Sequence, residues 1–181
     1  MPYQPKAIPS PVIILMGVSG VGKTTIGQQL AQHLGISFFD GDDFHSPANI
    51  AKMRRGEPLT ERDRAPWIEA LQKFLQTLLV NNQGAVVACS ALKAAYRQQL
   101  SNGSDRVRFV LLTGSYELIQ QRLNLRQGHF MAASLLASQF EALEAPTDSL
   151  VVEVDPPPEV IVQTIVEHLK APLMAQPSIF L

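Results

Sequence analysis

The stretch that decides the fold is Val12-Ile-Ile-Leu-Met-Gly-Val-Ser-Gly-Val-Gly-Lys-Thr24. Its first five residues are a continuous apolar run, the pattern of a parallel strand covered by helices on both faces. Gly17-Val-Ser-Gly-Val-Gly-Lys-Thr24 then satisfies G-x-x-x-x-G-K-[ST] without a mismatch. Ile26, Leu30 and Leu34 recur at every fourth position and Gly35 follows, the mark of a helix with a glycine stop. Strand, glycine-rich turn and helix in that order aim backbone N–H groups and the positive end of the helix dipole at one point, which suits a triphosphate. Gly17, Gly20 and Gly22 admit conformations barred to other residues, so the backbone of Val18, Ser19 and Val21 can close around phosphate oxygens. In such a loop Lys23 meets the β- and γ-phosphates and the Thr24 hydroxyl holds Mg²⁺.

Working outward, Ile36 to Phe39 reads as a second strand that ends in the acidic burst Asp40-Gly-Asp-Asp43. The charged segment from Phe44 to Pro66 is expected to be an exposed, substrate-facing insertion. Pro66 suits a first helical position, and a helix from Trp67 carries Leu71, Phe74, Leu75 and Leu78 on one face. Further strands are expected over Ala85–Cys89, Val107–Leu112 and Leu150–Val154, with helices over Ala91–Leu100, around Tyr116, Ile119 and Leu123, over Ala132–Leu143 and over Glu159–Leu169. This alternation argues an α/β fold with a parallel five-stranded sheet flanked by helices. Residues 1–170 are read as one domain and 171–181 as a loosely attached tail.

The chain has 181 residues, enough for one hydrophobic core, with 46% apolar and 17% charged residues. A net charge of −1 without massed Lys or Arg argues against a nucleic-acid partner. Apolar runs stay strand-sized, far short of the roughly 18 residues that span a bilayer, so no membrane segment is expected. The N-terminal stretch lacks a signal-peptide apolar core, and Cys89 is the sole cysteine. Both point to the cytoplasm.

A phosphate loop alone does not specify a chemistry. The Asn-Lys-x-Asp stretch of guanine-nucleotide sites is missing, since Leu111-Leu-Thr-Gly-Ser115 occupies its place. The strand ending at Cys89 leads into Ser90, where motor and transporter ATPases carry a Walker B Asp. Asp40 and Asp42, at a strand C-terminus beside the phosphate loop, supply carboxylates instead. One can orient metal-bound water and the other can accept a proton from a hydroxyl attacking the γ-phosphorus. We assign Asp42 to the proton and Asp40, with Thr24, to the metal; spacing alone leaves open which is nearer the ion, and Asp also serves simply to cap turns.

Several blocks carry a more specific pattern: Asp40-Gly-Asp-Asp-Phe-His45 with Asn49 and Lys52-Met53, Gly56-Glu-Pro-Leu59, Asp63-Arg-Ala-Pro-Trp67, Cys89-Ser-Ala-Leu-Lys93 with Tyr96-Arg97, and Arg126-Gln-Gly-His-Phe-Met131 with Ser138-Gln-Phe140. Together with the phosphate loop they resemble the gluconokinase family of P-loop sugar-acid kinases, in order from about Val12 to Pro146. The resemblance implies ATP-dependent conversion of D-gluconate to 6-phosphogluconate, a nucleoside-monophosphate-kinase-like P-loop NTPase fold with a lid, and a homodimer. It departs at Ser46, where Pro is usual, and at Glu61, where Asp is frequent.

Gluconate offers a carboxylate and a chain of hydroxyls, which calls for Arg and short polar groups. Arg64 is the first choice for the carboxylate, similar in placement to the substrate-binding Arg of shikimate kinases; a plain ion pair with Glu61 or Asp63 is the alternative. Lys93 and Arg97, one turn apart, are second choices. Arg122 and Arg126 are expected to reach ATP from a lid over about residues 122–134, with His129 and His45 as further substrate contacts. Another small hydroxy acid such as shikimate, or a nucleotide-binding regulatory role without transfer, are the competing readings. Trp67, Phe38, Phe39 and Cys89 read as core.

Overall fold

In the computed structural model, which describes residues 10–125 and 135–170, Val12–Met16 forms strand β1 with all five residues buried. The chain continues through α1 (Lys23–Leu34), β2 (Ser37–Asp40), a 3₁₀ turn (Gly41–Phe44), α2 (Pro47–Arg54), α3 (Glu61–Val80) and β3 (Ala85–Ala88). It is completed by α4 (Ala94–Ser101), β4 (Val107–Thr113), α5 (Tyr116–Leu125), α6 (Leu136–Ala142), β5 (Leu150–Glu153) and α7 (Pro158–Lys170). All strand pairs are parallel, in the order β2-β3-β1-β4-β5. The expected five-stranded α/β sheet is therefore present.

Alternation along β1 explains why both faces need helices. Ile13 and Leu15 pack with Ile26 and Leu30 of α1 and Ile161 and Ile165 of α7. Val12, Ile14 and Met16 pack on the other side with Trp67, Leu71 and Leu75 of α3. Each fully buried aliphatic side chain contributes about 1.5–3 kcal/mol, whereas an exposed pair such as Lys73–Glu69 is screened by solvent and contributes little. The two apolar layers, not the surface charges, hold the sheet.

Two helix starts and the charged segment differ from expectation. Helix α3 begins at Glu61 rather than beside Pro66, because Thr60 and Asp63 form a capping box: the Thr60 hydroxyl accepts from the Asp63 N–H, and the Asp63 carboxylate accepts from the Thr60 N–H. Pro66 lies inside the helix, where its missing N–H falls opposite the Arg62 carbonyl. Helix α4 begins at Ala94 rather than Ala91, with Lys93 as an extended N-cap residue. The charged segment between β2 and α3 contains α2, docked by a hydrogen bond from Asn49 Nδ2 to the Asp63 carbonyl and by the Lys52–Asp63 ion pair.

Strand β3 lies between β1 and β2, with Ala88 in register with both Leu15 and Asp40. The loop after β1, the acids after β2 and the loop after β3 thus converge at one edge, the carboxyl ends of the strands, where open α/β sheets bind ligands.

Candidate active site

The turn from β1 into α1 is fixed by its glycines. Gly17 has φ +139°, and a Cβ there would lie 2.5 Å from the Leu112 carbonyl oxygen. Gly20 has φ +83°, and a Cβ would lie 2.6 Å from Leu123 Cγ. Neither position tolerates a side chain. Gly22 is the N-cap of α1 in the left-handed region and makes no side-chain cap bond, so the first-turn amides lie along a cleft lined by Ser19 to Ile26. Lys23 Nζ curls back to donate to the Gly17 and Val18 carbonyls at 2.9 and 3.0 Å. A glycine-rich cradle, a helix N-terminus and a fixed ammonium fit a polyphosphate.

Asp40 and Asp42 divide at this point. The Thr24 hydroxyl donates to Asp40 Oδ2 at 3.1 Å, and the Asp42 N–H donates to Asp40 Oδ1 at 3.1 Å. Asp40 thus caps the 3₁₀ turn, the alternative raised by the sequence, and its other oxygen faces the phosphate loop. A hydroxyl and one carboxylate are the donors expected of a divalent cation that keeps most of its other positions for phosphate and water; among the described residues no group of three or more His, Cys, Asp or Glu converges. Asp42 lines the phosphate-loop cleft and also a second, adjoining pocket. The two cavities share Ser19, Lys23 and Asp42.

The second pocket is walled by the 3₁₀ turn, α3, the loop after β3 and α6. Trp67 was read as core; it is 3% exposed, but its Nε1–H also donates to the Gly41 carbonyl at 2.7 Å and so fixes the turn that carries Asp42. His45 stacks on Trp67 with centroids 4.4 Å apart. Burial, and then the Arg64 guanidinium, depress the His45 pKa from 6.5 to about 4, so the ring is neutral at pH 7. An unfolded chain takes up this proton below pH 6.5 and the folded one only near pH 4, so His45 makes stability fall as pH drops through that window. Thermal unfolding between pH 7 and pH 4.5 is expected to show this decline, shallower in His45→Gln; equal slopes would contradict the buried neutral ring.

Arg64, Lys93 and Tyr96 line the same pocket, and Glu61 gathers all three. Glu61 accepts from Lys93 Nζ at 2.7 Å, from the Tyr96 hydroxyl and from Arg64 Nη1 at 3.5 Å. The bonds from Lys93 and Tyr96 hold its carboxyl below the usual range. The ion pair between Arg64 and Glu61 weighed against a binding role is present, yet Arg64 still borders the cavity.

Other expected residues stand elsewhere. Arg97 does not line either cavity: it is 9% exposed, and its Nη1 donates to the Ala91 and Leu92 carbonyls at 3.1 and 3.0 Å. The expected substrate contact is corrected to a brace on the loop after β3, where Ala91 has φ +40°. Arg122 lines the phosphate-loop cleft while donating to the Val154 carbonyl at 2.7 Å. Arg126 and His129, and most of the expected lid, lie outside the described residues. Cys89 is buried, and desolvation pushes its pKa up to about 12, consistent with an inert packed thiol. Gln139 was not singled out; from α6 it lines the second pocket and accepts the Ser19 N–H at 2.6 Å.

Residues 19–170 match the family model described as shikimate kinase. Over 163 residues the chain is 40% identical to the thermoresistant gluconokinase of Escherichia coli K12, covering 88% of this chain and 93% of that protein. The chain belongs to the gluconokinase family of shikimate kinase-like P-loop kinases. Solved structures agree: a gluconokinase from Sinorhizobium meliloti 1021 superposes with a TM-score of 0.76 at 39% identity, covering 89% of this chain and 95% of that one. An unliganded sugar kinase from Janibacter gives 0.84 at 42% identity, covering 93% and 99%. Membership agrees with the parallel sheet order and the phosphate loop of a P-loop kinase fold. No helix among the described residues is long and apolar enough to cross a membrane.

Proposed function

We propose that the protein transfers the γ-phosphoryl group of ATP to the 6-hydroxyl of D-gluconate, giving 6-phosphogluconate and ADP. The observation that carries this reading is the meeting of two cavities at Lys23 and Asp42, in a chain 40% identical to a gluconokinase over 88% of its length. ATP lies with its phosphates in the loop of residues 17–24 and beside Arg122; gluconate fills the second pocket. Thr24 and Asp40 would hold Mg²⁺, which would supply positive charge against the phosphates. Asp42 accepts the proton of the 6-hydroxyl as the new O–P bond forms, and Lys23 stabilises charge on the moving phosphoryl group. Arg64 and Lys93, both bonded to Glu61, receive the gluconate carboxylate, and neutral His45 orients a hydroxyl. Arg126 and His129 are proposed to join ATP and gluconate respectively. The cytoplasm and a homodimer complete the proposal.

ATP turnover measured with gluconate, other sugar acids, shikimate and nucleoside monophosphates tests it. Gluconate is expected to give the highest kcat/KM; preference for shikimate or absence of any acceptor-dependent turnover would contradict it. Arg64→Leu is expected to raise KM for gluconate about 10- to 100-fold, the loss of a charge-assisted hydrogen bond. KM for ATP should move far less; equal changes in both would remove Arg64 from the acceptor side.

A further inference from the structure

We propose that Gln139 is a positioning residue that pins the phosphate loop from the acceptor side and so directs the phosphoryl group to the acceptor rather than to water. The inference rests on the kinase reading above and adds a residue that governs its outcome.

Ser19 occupies the seam between the two cavities and is 8% exposed. Its N–H donates to Gln139 Oε1 at 2.6 Å across 120 residues of sequence. On either side of Ser19 the loop is held from within the phosphate loop itself, by the Lys23 Nζ bonds to the Gly17 and Val18 carbonyls and by a long turn bond, 3.4 Å, from the Val21 N–H to the Val18 carbonyl; the Gln139 contact reaches Ser19 from another element. Helix α6, in contrast, is anchored. Leu136 is 1% exposed, Phe140 packs on Tyr116 with centroids 5.5 Å apart, and just beyond the helix Glu144 exchanges bonds with the loop after β3: its N–H donates to the Leu92 carbonyl and its carboxylate accepts from the Ala94 N–H. An anchored helix therefore presents one carboxamide oxygen to the Ser19 amide of the phosphate loop, while the same side chain walls the acceptor pocket.

Two attacks compete at this seam. In transfer, the acceptor oxygen bonds to the γ-phosphorus, the bond to ADP breaks, and the acceptor proton passes to Asp42. In hydrolysis a water oxygen takes the acceptor's place and the products are ADP and inorganic phosphate. A loop held against a filled wall excludes water and keeps the γ-phosphorus aligned with the acceptor. Loss of the Gln139 oxygen leaves the Ser19 amide without that acceptor and frees the loop to move relative to the wall.

The experiment compares the full-length protein with Gln139→Met, which keeps the volume and removes the oxygen. ADP, inorganic phosphate and phosphogluconate are measured in the same samples with and without gluconate, alongside hydrogen exchange of the peptide spanning residues 17–22. Wild-type protein is expected to form one phosphogluconate per ADP. The variant should release phosphate without gluconate about tenfold faster, form less than one product per ADP, and exchange faster at the loop. An unchanged product-to-ADP ratio overturns the proposal whatever the exchange shows. If wild-type protein transfers nothing to gluconate, the proposed function fails separately, and unchanged loop exchange in the variant then overturns the Gln139 contact on its own.

Discussion

Lys23→Ala is expected to lower kcat for phosphoryl transfer by at least ~100-fold while leaving thermal unfolding close to that of the parent. Among the described residues, Lys23 is the one cation that lines both cavities, and the Gly17 and Val18 carbonyls hold its ammonium in place beforehand. A charge already positioned needs no reorganisation as negative charge builds on the transferred group, which is where electrostatic stabilisation has its largest effect. Water entering the truncated space supplies dipoles that must reorient. Rapid-quench or coupled assays at saturating ATP and gluconate check this, and a near-normal kcat would remove the phosphate-loop assignment.

Asp42→Asn should lower kcat about 10²- to 10⁴-fold, the usual worth of a positioned general base, with little effect on ATP affinity. The amide preserves shape and the backbone bond by which the Asp42 N–H meets Asp40, so the 3₁₀ turn should persist. Asp40 makes the contrast. Its carboxylate is shared between the turn and the Thr24 hydroxyl, so Asp40→Asn is expected to weaken the dependence on Mg²⁺ rather than only slow the chemistry. Equal losses of turnover and ATP binding in Asp42→Asn would contradict a proton-accepting role.

Features built from local pattern were legible in the chain. The run Val12–Met16 and the glycine-rich turn placed β1 and α1 to within a residue, because a buried strand and a helix stop each write a short-range signal. Where the reading slipped, two local signals competed or the decisive partner was remote. Thr60 and Asp63 carry the capping-box spacing, but Pro66 offered a second plausible helix start, and the capping bonds prevailed. Lys93 and Arg97 were expected on one helical face; Lys93 is an extended N-cap residue at φ −92°, ψ 143°, so the spacing rule does not apply, and Arg97 turns inward instead. Trp67 looked like core and is core, yet its hydrogen bond to Gly41 connects residues 26 positions apart. Glu61 and Gln139 act through bonds spanning 32 and 120 positions, distances over which a single sequence carries no pairing signal.

A crystal structure of the protein with a non-hydrolysable ATP analogue, Mg²⁺ and D-gluconate measures the proposed geometry itself. The terminal phosphate should contact Lys23, the 6-hydroxyl should lie within about 3 Å of the Asp42 carboxylate, and the same oxygen about 3–3.5 Å from the γ-phosphorus. Gluconate seated away from the cavity bordered by Arg64 and Trp67, or Asp42 turned away from the 6-hydroxyl, would contradict transfer across this seam.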